Sequence, residues 1–191
     1  YNQRISPIQM LTFYNAIAND GKMVKPTLYK GETEIINPQI ASKANIDSLQ
    51  MALVKVVTEG LGKPAQSEKV QVAGVSGGCQ ISTEEDNSEG KMNTKYSVEY
   101  CGYFPAENPK YSIIVSMNKV GLPASGGLMA GSVFKEIVDF INWYMDSLLE
   151  LLNELGIEYV VPEKEDFYML TIHYNGEEIE CDCYHSSDND L

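Results

Sequence analysis

Residues 70–82, VQVAGVSGGCQIS, constrain the fold more than any other part of this chain. The stretch opens as an alternating apolar strand and stalls at Gly74. It then passes through Val75, Ser76, Gly77, Gly78 and Cys79 before strand character resumes. Glycine inside a strand weakens it and marks a place where another group must approach the backbone closely. The pattern predicts two short strands, residues 69–73 and 79–82, on either side of a glycine-rich break.

The flanking segments supply the rest of an α+β unit. Ser6-Pro7-Ile8-Gln9 offers an N-cap serine, a proline at the first helical position and a glutamine at the third, the pattern of a capping box. Ile8, Leu11, Tyr14, Ala16 and Ile17 follow at helical spacing, and Asn19-Asp20-Gly21 stops the helix. Residues 23–29 read as a short extended piece. A second helix is predicted over 46–59, with Leu49, Leu53, Val56 and Val57 on one face and Gly60 ending it. Two further strands are predicted, 96–104 and 111–118, joined as an antiparallel hairpin by the turn PAENP. Residues 83–93, TEEDNSEGKMN, have the composition of a polar connector, and 121–131, GLPASGGLMAG, that of a flexible loop. A third helix begins near Ser132. Its expected apolar face comprises Val133, Ile137, Phe140, Ile141 and Tyr144, then Leu148, Leu151, Leu152 and Leu155, ending at Gly156. At 1.5 Å per residue it would be about 36 Å long.

Charge divides the chain near Asn142. Residues 1–141 carry 14 acids and 13 bases, whereas 142–191 carry 13 acids and a single base, Lys164. The division predicts a domain over 1–142 and an acidic helix extension, β-hairpin and tail over 143–191. So acidic an end argues against nucleic acid as a partner, because phosphate binding needs a basic surface. No apolar run approaches the roughly 20 residues of a membrane span. The chain opens on Tyr1 without a signal peptide, which is the expectation for a processed or internal piece and says little about compartment.

Asn175-Gly176 predicts a type I′ turn between strands 167–174 and 177–184. In that register Leu170 faces Cys181 and Ile172 faces Ile179. One face then carries Tyr168, Leu170, Ile172, Ile179, Cys181 and Cys183; His173 falls on the other. A zinc site would need four convergent Cys or His ligands, and this register separates His173 from both cysteines, so no metal and no cofactor are expected. Cys79 and Cys101 lie in strand-like segments and are expected to be small buried hydrophobes.

The segments ISPIQMLTFYNAIANDGKMVKP, VAGVSGGCQ, CGYFPAENPKYSIIVSMNK and GSVFKEIVDFI, in that order and spacing, resemble the C-terminal half of the transpeptidase domain of class B penicillin-binding proteins. They look most like those of Bacteroidetes. The resemblance covers Tyr1 to about Asn142. It implies a periplasmic or cell-envelope α+β fold, with an antiparallel sheet and helices packed on it. It further implies peptidoglycan cross-linking by acyl transfer through an active serine, and acylation by penicillin. Peptidoglycan stem peptide and β-lactam are the ligands so implied.

Three motifs characterise that family: S-x-x-K, S-x-N, and K-T-G on an edge strand. The first two precede everything aligned, so this chain is expected to lack them. The third aligns with Val75-Ser76-Gly77. Ser76 replaces the threonine hydroxyl and Gly77 matches, but Val75 brings no charge, donor or proton to the lysine position. Gly78 falls where the family supplies a backbone N–H to the oxyanion hole, and that N–H survives any side-chain change. Literal S-x-x-K matches at Ser88, Ser116 and Ser132, and SDN from Ser187, are discounted by their placement in a polar loop, at a strand end, on the final helix and in the acidic tail.

These readings predict an antiparallel sheet with the Ser6 and Ser132 helices on one face, and no catalytic residue of its own. Three roles follow: a catalytically inactive remnant or binding module; one chain of a split transpeptidase whose nucleophile lies on another; or a protein-interaction module in the acidic C-terminal hairpin.

Overall fold

The computed structural model of the chain describes residues 5–29, 31–86, 91–160, 169–174 and 177–182. Helix α1, Pro7–Ala18, starts on the expected capping box: Ser6 N–H donates to Gln9 Oε1 at 2.9 Å, and Gln9 N–H donates to Ser6 Oγ at 3.4 Å. Its end turns on Asp20 (φ 53°) and Gly21 (φ 94°), which brings Gly21 N–H to Ala16 O at 2.7 Å. Strand β1, Met23–Val24, pairs with β2, Ile35–Asn37, a strand too short to carry a sequence signal.

Helix α2 spans Lys43–Thr58, a turn earlier than its apolar periodicity indicates, because Ser42 caps it by accepting from Asn45 N–H. It buries Ile46, Leu53 and Val57, while Leu49, expected on the inner face, is exposed.

Strands β3 (Ala73–Asp86), β4 (Lys91–Phe104) and β5 (Tyr111–Val120) form an antiparallel sheet in that order. The glycine-rich break expected between two short strands is instead the middle of one strand. Residues 73–80 pair one-to-one with β4, from Ala73↔Tyr103 to Gln80↔Tyr96, and the ladder slips only between Gln80 and Ser82. The predicted 69–73 strand lies outside the ladder except for Ala73. Most of the predicted 83–93 connector is strand as well, because the ladder continues to Asp86↔Lys91. The turn after β4 is anchored by Lys110 N–H to Phe104 O (3.0 Å) and Ala106 N–H to Gln71 O (2.8 Å).

Residues directly paired across an antiparallel ladder share a face. Ala73, Val75, Cys101, Tyr103 and Ser112 therefore lie together. Ala73 and Tyr103 pack with Ile17 and Ala18 of α1 and Leu53 of α2, and Asn15 Nδ2 donates to Ser112 Oγ at 2.7 Å. Gly74, Ser76, Tyr100, Gly102 and Phe104 form the opposite face. There Phe134 of helix α3 (Ser132–Glu154) stacks on Tyr100 with ring centroids 4.8 Å apart, and edge-on to Phe104 at 6.3 Å. Gly102 makes room for this: a Cβ there would stand 3.1 Å from Phe134 Cζ and 2.6 Å from Ala73 O. The Ser6 and Ser132 helices thus cover opposite faces, not one. Two rows of the α3 sequence are apolar; Phe134 of one row meets the sheet, and Val138 of the same row is buried.

The expected loop before α3 contains a π-helical turn, Gly126–Gly131, begun by Ser125 Oγ accepting from Leu128 N–H.

By its contacts the chain divides into two compact units, Tyr1–Asp139 and Phe140–Leu191. The second holds the remainder of α3, closed at Gly156 (φ 64°), and an antiparallel sheet of β6 (Glu158–Val160), β7 (Met169–Tyr174) and β8 (Glu177–Asp182) in that order. Leu170 pairs with Cys181 and Ile172 with Ile179, the register expected from the hairpin signal, and β6 adds Glu158↔His173. The turn residues Asn175 and Gly176, together with Tyr168, Cys183, Tyr184 and His185, lie outside the described residues.

Candidate active-site wall on strand β3

Strand β3 pairs with β4 along one edge, and among the described residues no strand pairs with the other. Alternate residues of an antiparallel strand direct N–H and C=O to opposite sides, so half of those in residues 73–80 present their backbone to this open edge.

Side chains along residues 75–78 alternate between faces. Val75 is half-buried and packs against the apolar cluster of Ile17, Ala18, Leu53, Ala73 and Tyr103. Ser76 is half-buried on the other face, where a Cβ on Gly127 would lie 3.7 Å from its Oγ. Gly77 and Gly78 are exposed. A Cβ on Gly77 would meet nothing within 4 Å, and one on Gly78 would meet Ser97 O at 3.6 Å.

Within 73–80 the glycine that a close approach requires is Gly74, where a Cβ would stand 2.7 Å from the Tyr100 hydroxyl oxygen; at Gly77 the close approach depends instead on a glycine of another segment. A Cβ on Gly126 would fall 2.2 Å from Gly77 O and 2.4 Å from Glu99 O; one on Gly127 would fall 2.3 Å from Leu61 O. Of the two glycines of ASGGLMAG, Gly126 lets the π-helical turn lie directly on the backbone of β3 and β4, and Gly127 lets it lie on the Leu61 carbonyl. The segment expected as a flexible loop is thus a packed turn, and paired glycines before a helix are its sequence signal.

The wall's face beyond Val75 carries an anion. Glu99, paired with Gly77, accepts from Ser97 Oγ at 3.2 Å and Ser116 Oγ at 3.0 Å. Burial, and secondarily the Glu99 charge, push the Cys101 thiol up to about 12. Burial likewise raises the Tyr103 hydroxyl to about 12 and the Tyr100 hydroxyl further, so all three stay neutral near pH 7. Cys101 is buried as expected, but Cys79 is exposed, because its half of the face extends beyond α1 and α2.

The lead-in to β3 is braced by a cluster that the sequence did not reveal. Buried Ser67 donates to Asp139 Oδ1 at 2.6 Å and accepts from Lys69 N–H at 3.0 Å, while Lys135 pairs with Asp139 Oδ2. Burial is the largest single influence on Asp139 and raises its pKa. The hydrogen bonds from Lys135 and Ser67, with the charges of Lys135 and Lys69, outweigh it and hold the carboxyl below its usual value.

The literal S-x-x-K matches do not assemble a nucleophile among the described residues. Ser132 Oγ donates to Leu128 O at 2.7 Å while Lys135 engages Asp139, and Ser116 donates to Glu99. Ser88 and Ser187 lie outside the described residues.

An antiparallel sheet sandwiched between helices, with a glycine-rich edge strand as its open side, is an α+β fold built around one strand edge. Residues 1–139 match the sequence family described as the penicillin-binding protein transpeptidase domain, and the chain belongs to that family. It is 28% identical over 152 residues to the peptidoglycan D,D-transpeptidase FtsI of Buchnera aphidicola, covering 74% of this chain and 25% of that protein. It is 27% identical over 95 residues to penicillin-binding protein 3 of Bacillus subtilis, covering 47% and 14%. The chain thus spans a quarter or less of the length of these curated relatives. Among solved structures it is similar to the transpeptidase domain of FtsI4 D,D-transpeptidase from Legionella pneumophila. That match has 28% identity and a TM-score of 0.49, over 75% of this chain and 47% of that one.

Proposed function

We propose that β3 forms the ligand-facing wall of a D,D-transpeptidase-type site in the cell envelope, and that this chain holds peptidoglycan stem peptide or a β-lactam against it without being acylated. The observation that carries the reading is Val75. It occupies the lysine position of the K-T-G box and packs into the α1–α2 apolar cluster, so the box offers neither positive charge nor a proton there. What remains is backbone: the open edge of β3, and Gly78 N–H in the oxyanion-hole position, with the Ser76 hydroxyl beside them. Backbone donors on an edge strand bind an extended peptide or an amide by strand addition.

Fluorescent penicillin tests the reading. The 191-residue chain is expected to give no labelled band after denaturing electrophoresis. A band that disappears when one serine is replaced would overturn it.

A second reading has its own observation. The sheet face around Gly77 and Cys79 is exposed, and Glu99 with its two serine partners lies on that face, an arrangement that fits a partner chain bringing the nucleophile. A pull-down from the cell envelope that recovers a serine-bearing transpeptidase chain would favour it, and one that recovers none would reject it.

A further inference from the structure

Among the described residues of the second unit, one face of α3 is bare. Within that unit, α3 buries Leu152, but Phe140, Tyr144, Leu151 and Leu155 are all exposed. Their spacing of four, seven and four residues places them in one stripe along the helix. Phe140 also stacks with Trp143, ring centroids 5.9 Å apart, although both rings are more than half exposed. Exposed aromatic and aliphatic side chains gathered in one stripe mark an interaction surface, whereas scattered ones do not.

Charge determines what fits. Asp146, Glu150 and Glu154 follow one another at four-residue spacing and form a second, anionic row on the same helix. The sequence contains no Lys, Arg or His between Lys135 and Lys164 to offset them. A second copy would set acid against acid, and an anionic lipid surface would repel the row. A cationic amphipathic helix satisfies both rows: its apolar side covers the stripe and its lysines or arginines meet the carboxylates.

We propose that the α3 face formed by Phe140, Tyr144, Leu151 and Leu155 docks a basic amphipathic helix of a partner protein, oriented by Asp146, Glu150 and Glu154. The proposal is independent of whether β3 binds a β-lactam.

Trp143 is the chain's single tryptophan, so its emission reports on this face alone. The probe is a synthetic helical peptide with leucines on one face and lysines elsewhere; a control peptide replaces the lysines with glutamates. The lysine peptide is expected to shift Trp143 emission to the blue at low salt and to be released as salt rises, and the glutamate peptide to leave the emission unchanged. D146N/E150Q/E154Q should weaken binding about tenfold, the sum expected of three exposed ion pairs. Y144S/L151S should abolish binding with unchanged circular dichroism. Equal response to both peptides, no response to either, or full binding by both variants would overturn the proposal. So would a sedimentation dimer that buries Trp143 without peptide, or an equal blue shift with phosphatidylglycerol vesicles.

Discussion

Gly126 crosses the backbone of Gly77 so closely that a single added methyl group would stand 2.2 Å from the Gly77 carbonyl oxygen. The contact locks the π-helical turn onto β3 from the face opposite α1 and α2. Gly126→Ala is expected to destabilise the chain by about 1–3 kcal/mol, the usual cost of forcing atoms into a packed site. Gly77→Ala points into open space and should change stability by no more than about 0.5 kcal/mol. Urea denaturation of the two variants measures the difference.

Val75→Lys tests the proposed correspondence of Val75 with the lysine of the family's K-T-G motif. The substitution removes an apolar side chain from the α1–α2 cluster and should cost about 1–2 kcal/mol, moderated because a lysine stem can lie along the apolar surface with its ammonium in water. Penicillin labelling should remain absent, since the change supplies no nucleophile. Denaturation midpoint and labelling, measured on the same sample, check both halves.

The Ser67–Asp139–Lys135 cluster predicts an acid-sensitive brace. A carboxyl whose pKa is depressed by folding stabilises the native state above its unfolded value, and that contribution disappears as pH falls through the folded value. Part of the stability should therefore be present above about pH 5 and lost on acidification below 3.8, the unfolded reference. In Asp139→Asn this part of the pH dependence should be missing, with a loss of about 1–2 kcal/mol at pH 7 from the broken hydrogen bonds. Thermal melts across pH 3–7 compare the two proteins.

The two described thiols should differ in reactivity. Cys79 is exposed, whereas Cys101 is buried with its thiol pushed up to about 12. Maleimide should modify the Cys79 peptide in native protein and the Cys101 peptide only after denaturation. Raising the pH to 9 should not change that order. Peptide mapping by mass spectrometry reads both sites.

What the residues disclosed in advance was mostly local. The Ser6–Gln9 capping box, the PAENP hairpin and the Leu170↔Cys181 register depend on neighbours a few positions apart, and each matches the structure. The strand break failed because glycine lowers strand propensity locally while the long ladder with β4 overrides it. The α3 face failed differently. Its two adjacent apolar rows share one periodicity, and only the sheet's Tyr100, Gly102 and Phe104 select Phe134. At the site, the positions of Val75, Ser76, Gly77 and Gly78 on one strand were legible. The packing of Val75 under α1 and α2, the Gly126 contact and the bond from Ser116 to Glu99 each depend on residues more than 15 positions away.

The central claim is that the open edge of β3 binds a peptidoglycan-like ligand through its backbone. Amide NMR of the chain, titrated with a stem-peptide analogue, tests it most directly. The account predicts chemical-shift changes concentrated at Ser76, Gly77 and Gly78, reversed on dilution. Shifts absent from these three amides at saturating ligand, or confined to other parts of the fold, would contradict it.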